Sequence, residues 1–145
     1  MTVLFFGSDH AGFPLKQAVT PIAADAGFEV RDLGTHSTES TDYPDYAHAV
    51  ATAVARGEGL GVLICGTGIG MSMTANRHAG VRAALCGDVF SARMARHHND
   101  ANVLCLGARV LGVGLAEAIF RAFFEEAFDG GRHQRRVDKI ELSGC

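Results

Sequence analysis

Five short apolar runs, separated by longer stretches of helical spacing, restrict this chain to one class of fold. The runs are Val3–Gly7, Phe28–Leu33, Gly61–Cys65, Val81–Leu85 and Asn102–Leu106. Most are nearly continuous in apolar residues instead of strictly alternating, the mark of strands covered on both faces in a parallel sheet. Between them the spacing predicts helices. The first begins after Gly12 with Pro14 in its first turn, and Gly27 closes it. Its apolar face is Leu15, Val19, Ile22, Ala23 and Ala26. Pro21 requires either a kink or a restart with Thr20 as N-cap. Further helices are predicted from Pro44 to Arg56, after the glycine-rich segment 66–70, over Val89–His97 and over Leu115–Phe128. In the last of these Leu115, Ile119, Phe120, Phe123 and Phe124 form a stripe.

A βαβα order of this kind implies an open, doubly wound α/β sheet of five parallel strands, a Rossmann-like three-layer sandwich. With 145 residues, the chain suits a single domain over 1–145. From about residue 130 the pattern changes to GGRHQRR, a glycine turn followed by a basic tail. A net charge of −3 gives no support for nucleic-acid or membrane-surface binding. The opening MTVLFF is too short for a signal-peptide core, so a cytoplasmic protein is expected. The spacing of cysteines and histidines matches no structural zinc motif, so no metal is expected. Cys86 and Cys105 read as core, and Cys145 as a frayed tail.

In doubly wound sheets, function gathers at the carboxyl ends of the strands. There the sequence places Asp9 and His10 after the first strand, Tyr43 after the second, Cys65 with Gly66–Gly70 after the third, and Arg109 after the fifth. The loop GTGIG turns several amides toward one centre at a helix start, a nest suited to an anion. It lacks the final glycine of the dinucleotide fingerprint and the Walker lysine. By spacing alone it reads equally as a tight structural turn. Cys65, likewise, is either inert core filler or a thiol favoured as thiolate beside that nest. Asp9 is either an Asx turn residue or a ligand for a sugar hydroxyl. His98 and Asn99 end the fourth helix, on the opposite edge of their own subunit. They could meet a strand-end cleft only across a subunit boundary, which points to a C2 homodimer. Arg132, Arg135, Arg136 and His133 are either a solvated tail or a phosphate-binding fork.

Read together, GSDHAGFPLK, DYPDYA, ICGTGIGMSMTANRHAGVRAAL, HHNDANVLCLGARV and GGRHQRRV resemble the type B ribose-5-phosphate isomerases, a family that also contains the galactose-6-phosphate isomerase subunits. The resemblance covers almost the whole chain. It implies that Cys65 is the base that moves a proton between C1 and C2, that His98 assists ring opening, and that Thr67 contributes a hydroxyl. It implies that Gly66, Gly68, Ile69 and Gly70 hold the reacting oxygens, and that Asp9, His10, Tyr43 and Asn99 contact the sugar. Arg109, Arg132 and Arg136 would mostly serve the phosphate. Some relatives use a glutamate instead of the cysteine; here Ala75 occupies that region and Cys65 is kept. The family needs no metal or cofactor and builds its sites between two subunits, in a dimer or a dimer of dimers. The expected partner is thus a sugar phosphate. Isomerases of allose, galactose or tetrose phosphates, and a non-catalytic phosphate- or nucleotide-sensing module, are the competing readings.

Overall fold

The computed structural model describes residues 1–142; the expectation for Cys145 lies outside them. The chain runs β1 (Val3–Ser8), α1 (Phe13–Asp25), β2 (Glu29–Asp32), α2 (Tyr43–Ala55), β3 (Leu60–Cys65) and α3 (Ile69–Ala75). It continues with β4 (Ala83–Leu85), α4 (Val89–Asn99), β5 (Val103–Gly107), α5 (Val113–Phe124) and α6 (Arg132–Asp138). All strand pairs are parallel, in the order β2-β1-β3-β5-β4. The expected doubly wound sheet is therefore present. The chain leaves β1 toward β2 and returns to the other side for β3. That reversal opens a crevice between the carboxyl ends of β1 and β3.

The sheet is covered on both faces, as its unbroken apolar strands require. On one side Leu4, Phe6, Ile64, Leu104 and Leu106 pack with Leu15, Val19, Ile119, Phe120 and Phe123 from α1 and α5. On the other, Phe5, Leu63, Val103 and Cys105 pack with Ala47, Val50, Ala51, Met71 and Ala75 from α2 and α3. Each large apolar side chain buried in this way contributes roughly 1.5–3 kcal/mol. Cys86 and Cys105 belong to this core, as their sequence context implied. Burial raises both thiols, Cys86 to about 11 and Cys105 further, so neither ionises near neutrality.

Several boundaries move, for physical reasons. Helix α1 is one element with Pro21 inside it. The proline leaves the Gln17 carbonyl without its amide, but both residues face solvent, where water serves instead. Its end is a Schellman motif: Gly27, at φ +94°, donates to the Ala24 carbonyl and Phe28 to that of Ala23. On its inner face Lys16 is buried and Ala26 is exposed, the reverse of the apolar pattern. The β2 ladder is limited to the Glu29–Asp32 pairing. Strand β4 begins late because the Val81 amide turns back to His78 and the Arg82 amide is taken by the Asn102 side chain. Helix α5 stops at Phe124, and Leu115 faces outward. The basic tail is a helix, α6, entered through Gly130 and Gly131, both at positive φ, and seated by Val137.

Lys16 shows how the fold places its crevice. Its ammonium donates to Asp32 Oδ1 and to the Thr35 carbonyl, each at 2.5 Å. Asp32 Oδ1 also accepts the Gly34 amide, at 2.9 Å. This strap holds segment 32–35 against β1, where the Ser8 and Gly34 backbones pair and Thr35 donates to Ser8. The end of β1, and with it Asp9, is thereby fixed.

Across the other face, His48 on α2 and His78 after α3 share one hydrogen bond of 2.8 Å between ring nitrogens. Burial, and secondly His48, lower the His78 pKa from 6.5. The unfolded chain therefore takes up this proton at a higher pH than the folded one. Stability is complete above the unfolded value and falls as pH drops through it toward the folded value. Thermal unfolding followed below about pH 6.5 should decline less steeply for His78→Asn than for the wild type. Equal slopes would show that this pair does not contribute to the acid limb.

Candidate active site

β1 and β3 are hydrogen-bonded neighbours with Ser8 opposite Ile64, so Asp9 and Cys65 emerge side by side. The Asp9 amide donates to the Ile64 carbonyl at 3.3 Å. Its Oδ1 accepts the Gly12 amide, three residues on, at 2.9 Å, so Asp9 closes the turn that leads into α1. Gly12 is required here, because a Cβ would lie 2.1 Å from the Ile64 carbonyl oxygen. His10 is half-buried and its Nδ1 accepts the Thr41 amide at 3.1 Å. In the neutral ring the proton is then on Nε2.

Cys65 ends β3 and is 5% exposed. The Gly68 amide donates to its Sγ at 3.1 Å. Gly68 turns at φ +79° and its Cβ position is occupied by Leu85 and the Leu106 backbone, so only glycine fits. Thr67 Oγ1 accepts the Ile69 amide at 3.2 Å. The loop's carbonyl side is pinned by β5: the Ala108 and Arg109 amides donate to Cys65 and Gly66. The Arg109 side chain runs beside Gly66. Tyr43, the first residue of α2, lays its ring on Gly70, where a Cβ would come within 2.5 Å of it. Asp9, His10, Tyr43, the 65–70 loop and Arg109 thus occupy one edge of the sheet.

His98 and Asn99 stand elsewhere. Helix α4 runs back along the sheet and ends before β5 begins. The five-residue length of β5 separates them from the crevice by roughly 16 Å. Helix α6 joins them there. His133 stacks on His98 with centroids 4.3 Å apart and planes within 11°. Arg132 and Arg136, four residues apart, share a face of α6 and are both exposed. The expected site residues therefore form two groups at opposite edges of one subunit, the crevice group and the His98 group. Asp129, between α5 and α6, also joins the second group through His97: its Oδ1 lies 2.7 Å from His97 Nδ1. Asp129 carried no sequence signal, because Gly130, Gly131 and Arg132 separate it from His133 and it lies on no helix face.

Two hollows accompany these groups. One, of about 320 Å³, adjoins the crevice loop and is lined by Thr67, Ile69, Leu85, Cys86, Gly107 and Val110. A larger one, of about 550 Å³, lies at the other edge against Ile140–Leu142 and includes Asn99 but none of the crevice residues. The first opens beside the loop that follows Cys65.

Comparison with known proteins settles the lineage. The family model described as Ribose/Galactose Isomerase matches residues 4–140. The chain belongs to the ribose/galactose isomerase family. Among curated members it is 50% identical over 141 residues to ribose-5-phosphate isomerase B of Escherichia coli, covering 97% of this chain and 95% of the relative. The ribose 5-phosphate isomerase of Thermotoga maritima superposes with a TM-score of 0.93 at 49% identity, covering 96% of this chain and 97% of the other. That of Mycoplasma genitalium, solved with bound ribulose-5-phosphate, does so at 0.91 and 44%, covering 94% and 92%. The family relationship spans the whole sheet and both residue groups. Among the described residues, no helix is long and apolar enough to cross a membrane.

Proposed function

We propose that this protein interconverts ribose 5-phosphate and ribulose 5-phosphate in a site shared between two subunits. The observation that carries the reading is Cys65 Sγ beside the Gly68 amide in the switch-point crevice, with the groups suited to ring opening and phosphate binding at the far edge. Relatives named ribose-5-phosphate isomerase B, similar over nearly their full length, support the substrate. In a homodimer the second copy brings His98, Asn99, Arg132 and Arg136 to the first copy's crevice. Ile69, Leu85 and Val110, exposed around the smaller hollow, offer the apolar face for that contact.

The chemistry follows from this arrangement. His98 exchanges a proton with the ring oxygen, and the furanose opens to the aldehyde. Cys65, as thiolate, takes the C2 proton; the C2–H pair becomes the C1=C2 bond and charge moves to the carbonyl oxygen. The Gly68 amide supports the thiolate before the transfer, and the loop amides receive the enediolate oxygens after it. Proton exchange between O1 and O2, with Thr67 at hand, and return of the proton to C1 give the ketose. One base serves both carbons. Arg109, Arg132 and Arg136 hold the phosphate, which does not react but positions the reacting end. His10 Nε2–H, Asp9 and Tyr43 contact the sugar in this reading.

A panel of four-, five- and six-carbon aldose phosphates compared by kcat/KM tests the substrate. Ribose 5-phosphate should lead by about tenfold or more, the discrimination that one misplaced carbon commonly costs. A tetrose or hexose phosphate in the lead would overturn the assignment.

A further inference from the structure

We propose that His98, Asp129 and His133 form an inhibitory site for Zn²⁺. The three residues come from the end of α4, the α5–α6 connection and the first turn of α6. Each offers one ligand atom, and these atoms all lie within 4.8 Å of one another. Two imidazole nitrogens and a carboxylate oxygen are a donor set that zinc accepts, with a fourth position left for water. Bonds of about 2.0–2.2 Å require the ligand atoms to draw closer than they stand. His98 and His133 are half-buried and Asp129 is exposed, so side-chain rotation supplies the movement. The cost is the His98–His133 stack.

Asp129 is already oriented for this role. His97 Nδ1 meets its Oδ1 at 2.7 Å, and its own amide donates to the His97 carbonyl at 3.1 Å. His97 Nε2 is held in turn by Glu126 Oε2 at 3.0 Å. An outer partner of this kind fixes a ligating carboxylate and leaves its second oxygen for the metal. Arg132 and Arg136 oppose a cation here, whereas Asp129 and Glu126 favour it. A site so balanced binds reversibly, without being a permanent part of the fold. The isomerisation set out above uses no metal. Zinc on His98 occupies the nitrogen needed for ring opening, so the loaded site is inactive. The inhibition rests on the role proposed for His98; the binding does not.

The test uses full-length, chelator-stripped protein and zinc chloride in titration calorimetry without sugar phosphate. The wild type should bind one ion per chain, and Asp129→Asn and His133→Gln should each weaken binding roughly tenfold or more. In parallel, zinc should inhibit wild-type turnover, a chelator should restore it, and Asp129→Asn, measured against its own metal-free turnover, should resist it. Absence of binding to the wild type overturns the site. So do equal binding and equal inhibition in Asp129→Asn, which would place the metal elsewhere, as on Cys65. Site-specific binding without inhibition upholds the site and overturns the role of His98.

Discussion

Replacing Cys65 with alanine should lower kcat for ribose 5-phosphate by about a thousandfold or more, with the fold and substrate affinity retained. Removal of a positioned acid–base group commonly costs ~10²–10⁴ in rate, and here one group serves both carbons. The side chain is nearly fully buried at the crevice end of the layer between the sheet and α2 and α3, but it is small. Its loss removes a single sulfur, so destabilisation should be modest, on the order of 1 kcal/mol. The KM should move little, because the phosphate and sugar contacts come from other residues. A Cys65→Ala protein with near-wild-type turnover would remove the base from the mechanism. Unchanged turnover with a shifted KM would recast Cys65 as a binding group. Cys65→Ser separates the two further, since a hydroxyl fills the space but is a far weaker base than a thiolate.

The layout of the fold was legible because its strands are buried on both faces. Val62–Ile64 and Val103–Leu106 have no polar face, and only a sheet with helices on both sides accepts such runs. Boundaries were less legible where tertiary contacts decide them. The β4 start depends on Asn102 capturing the Arg82 amide from 20 residues away, which no local pattern announces. Lys16 lies outside the apolar face read for α1, and only the Asp32 carboxylate and the Thr35 carbonyl make its burial tolerable. Helix α6 was hidden because a glycine pair and five charged or histidine side chains resemble a solvated tail, and Val137 is its sole buried anchor.

The candidate site was legible to a different depth in each half. The crevice residues follow strand ends, so their placement came directly from the strand order. Asp9 shows the turn-forming role read from its sequence context: its Oδ1 accepts the Gly12 amide three residues on, at the crevice end of β1. The placement of His98 at the far edge also followed from the chain order, as the end of a helix that runs back along the sheet. Its surroundings did not. The stack on His133 and the His97–Asp129 pair join residues 30 or more positions apart in sequence.

That separation between Cys65 and His98 is the centre of the account, and it predicts a second large effect. Cys65→Ala and His98→Asn should each be nearly inactive alone. In a mixed dimer, one site carries both lesions and the other carries neither. Random pairing puts half the protein in mixed dimers, each with one intact site, so activity should recover to about a quarter of wild type. Neither variant can contribute this alone, and a site built within one subunit cannot regain anything by exchange of partners. The most direct measurement is therefore ribose 5-phosphate turnover after the two variants are unfolded, mixed in equal amounts and refolded together. Recovery to about a quarter of the wild-type rate is the result predicted by a shared site. Turnover that stays at the sum of the two separate variants, in a mixture shown by mass to contain mixed dimers, would contradict it.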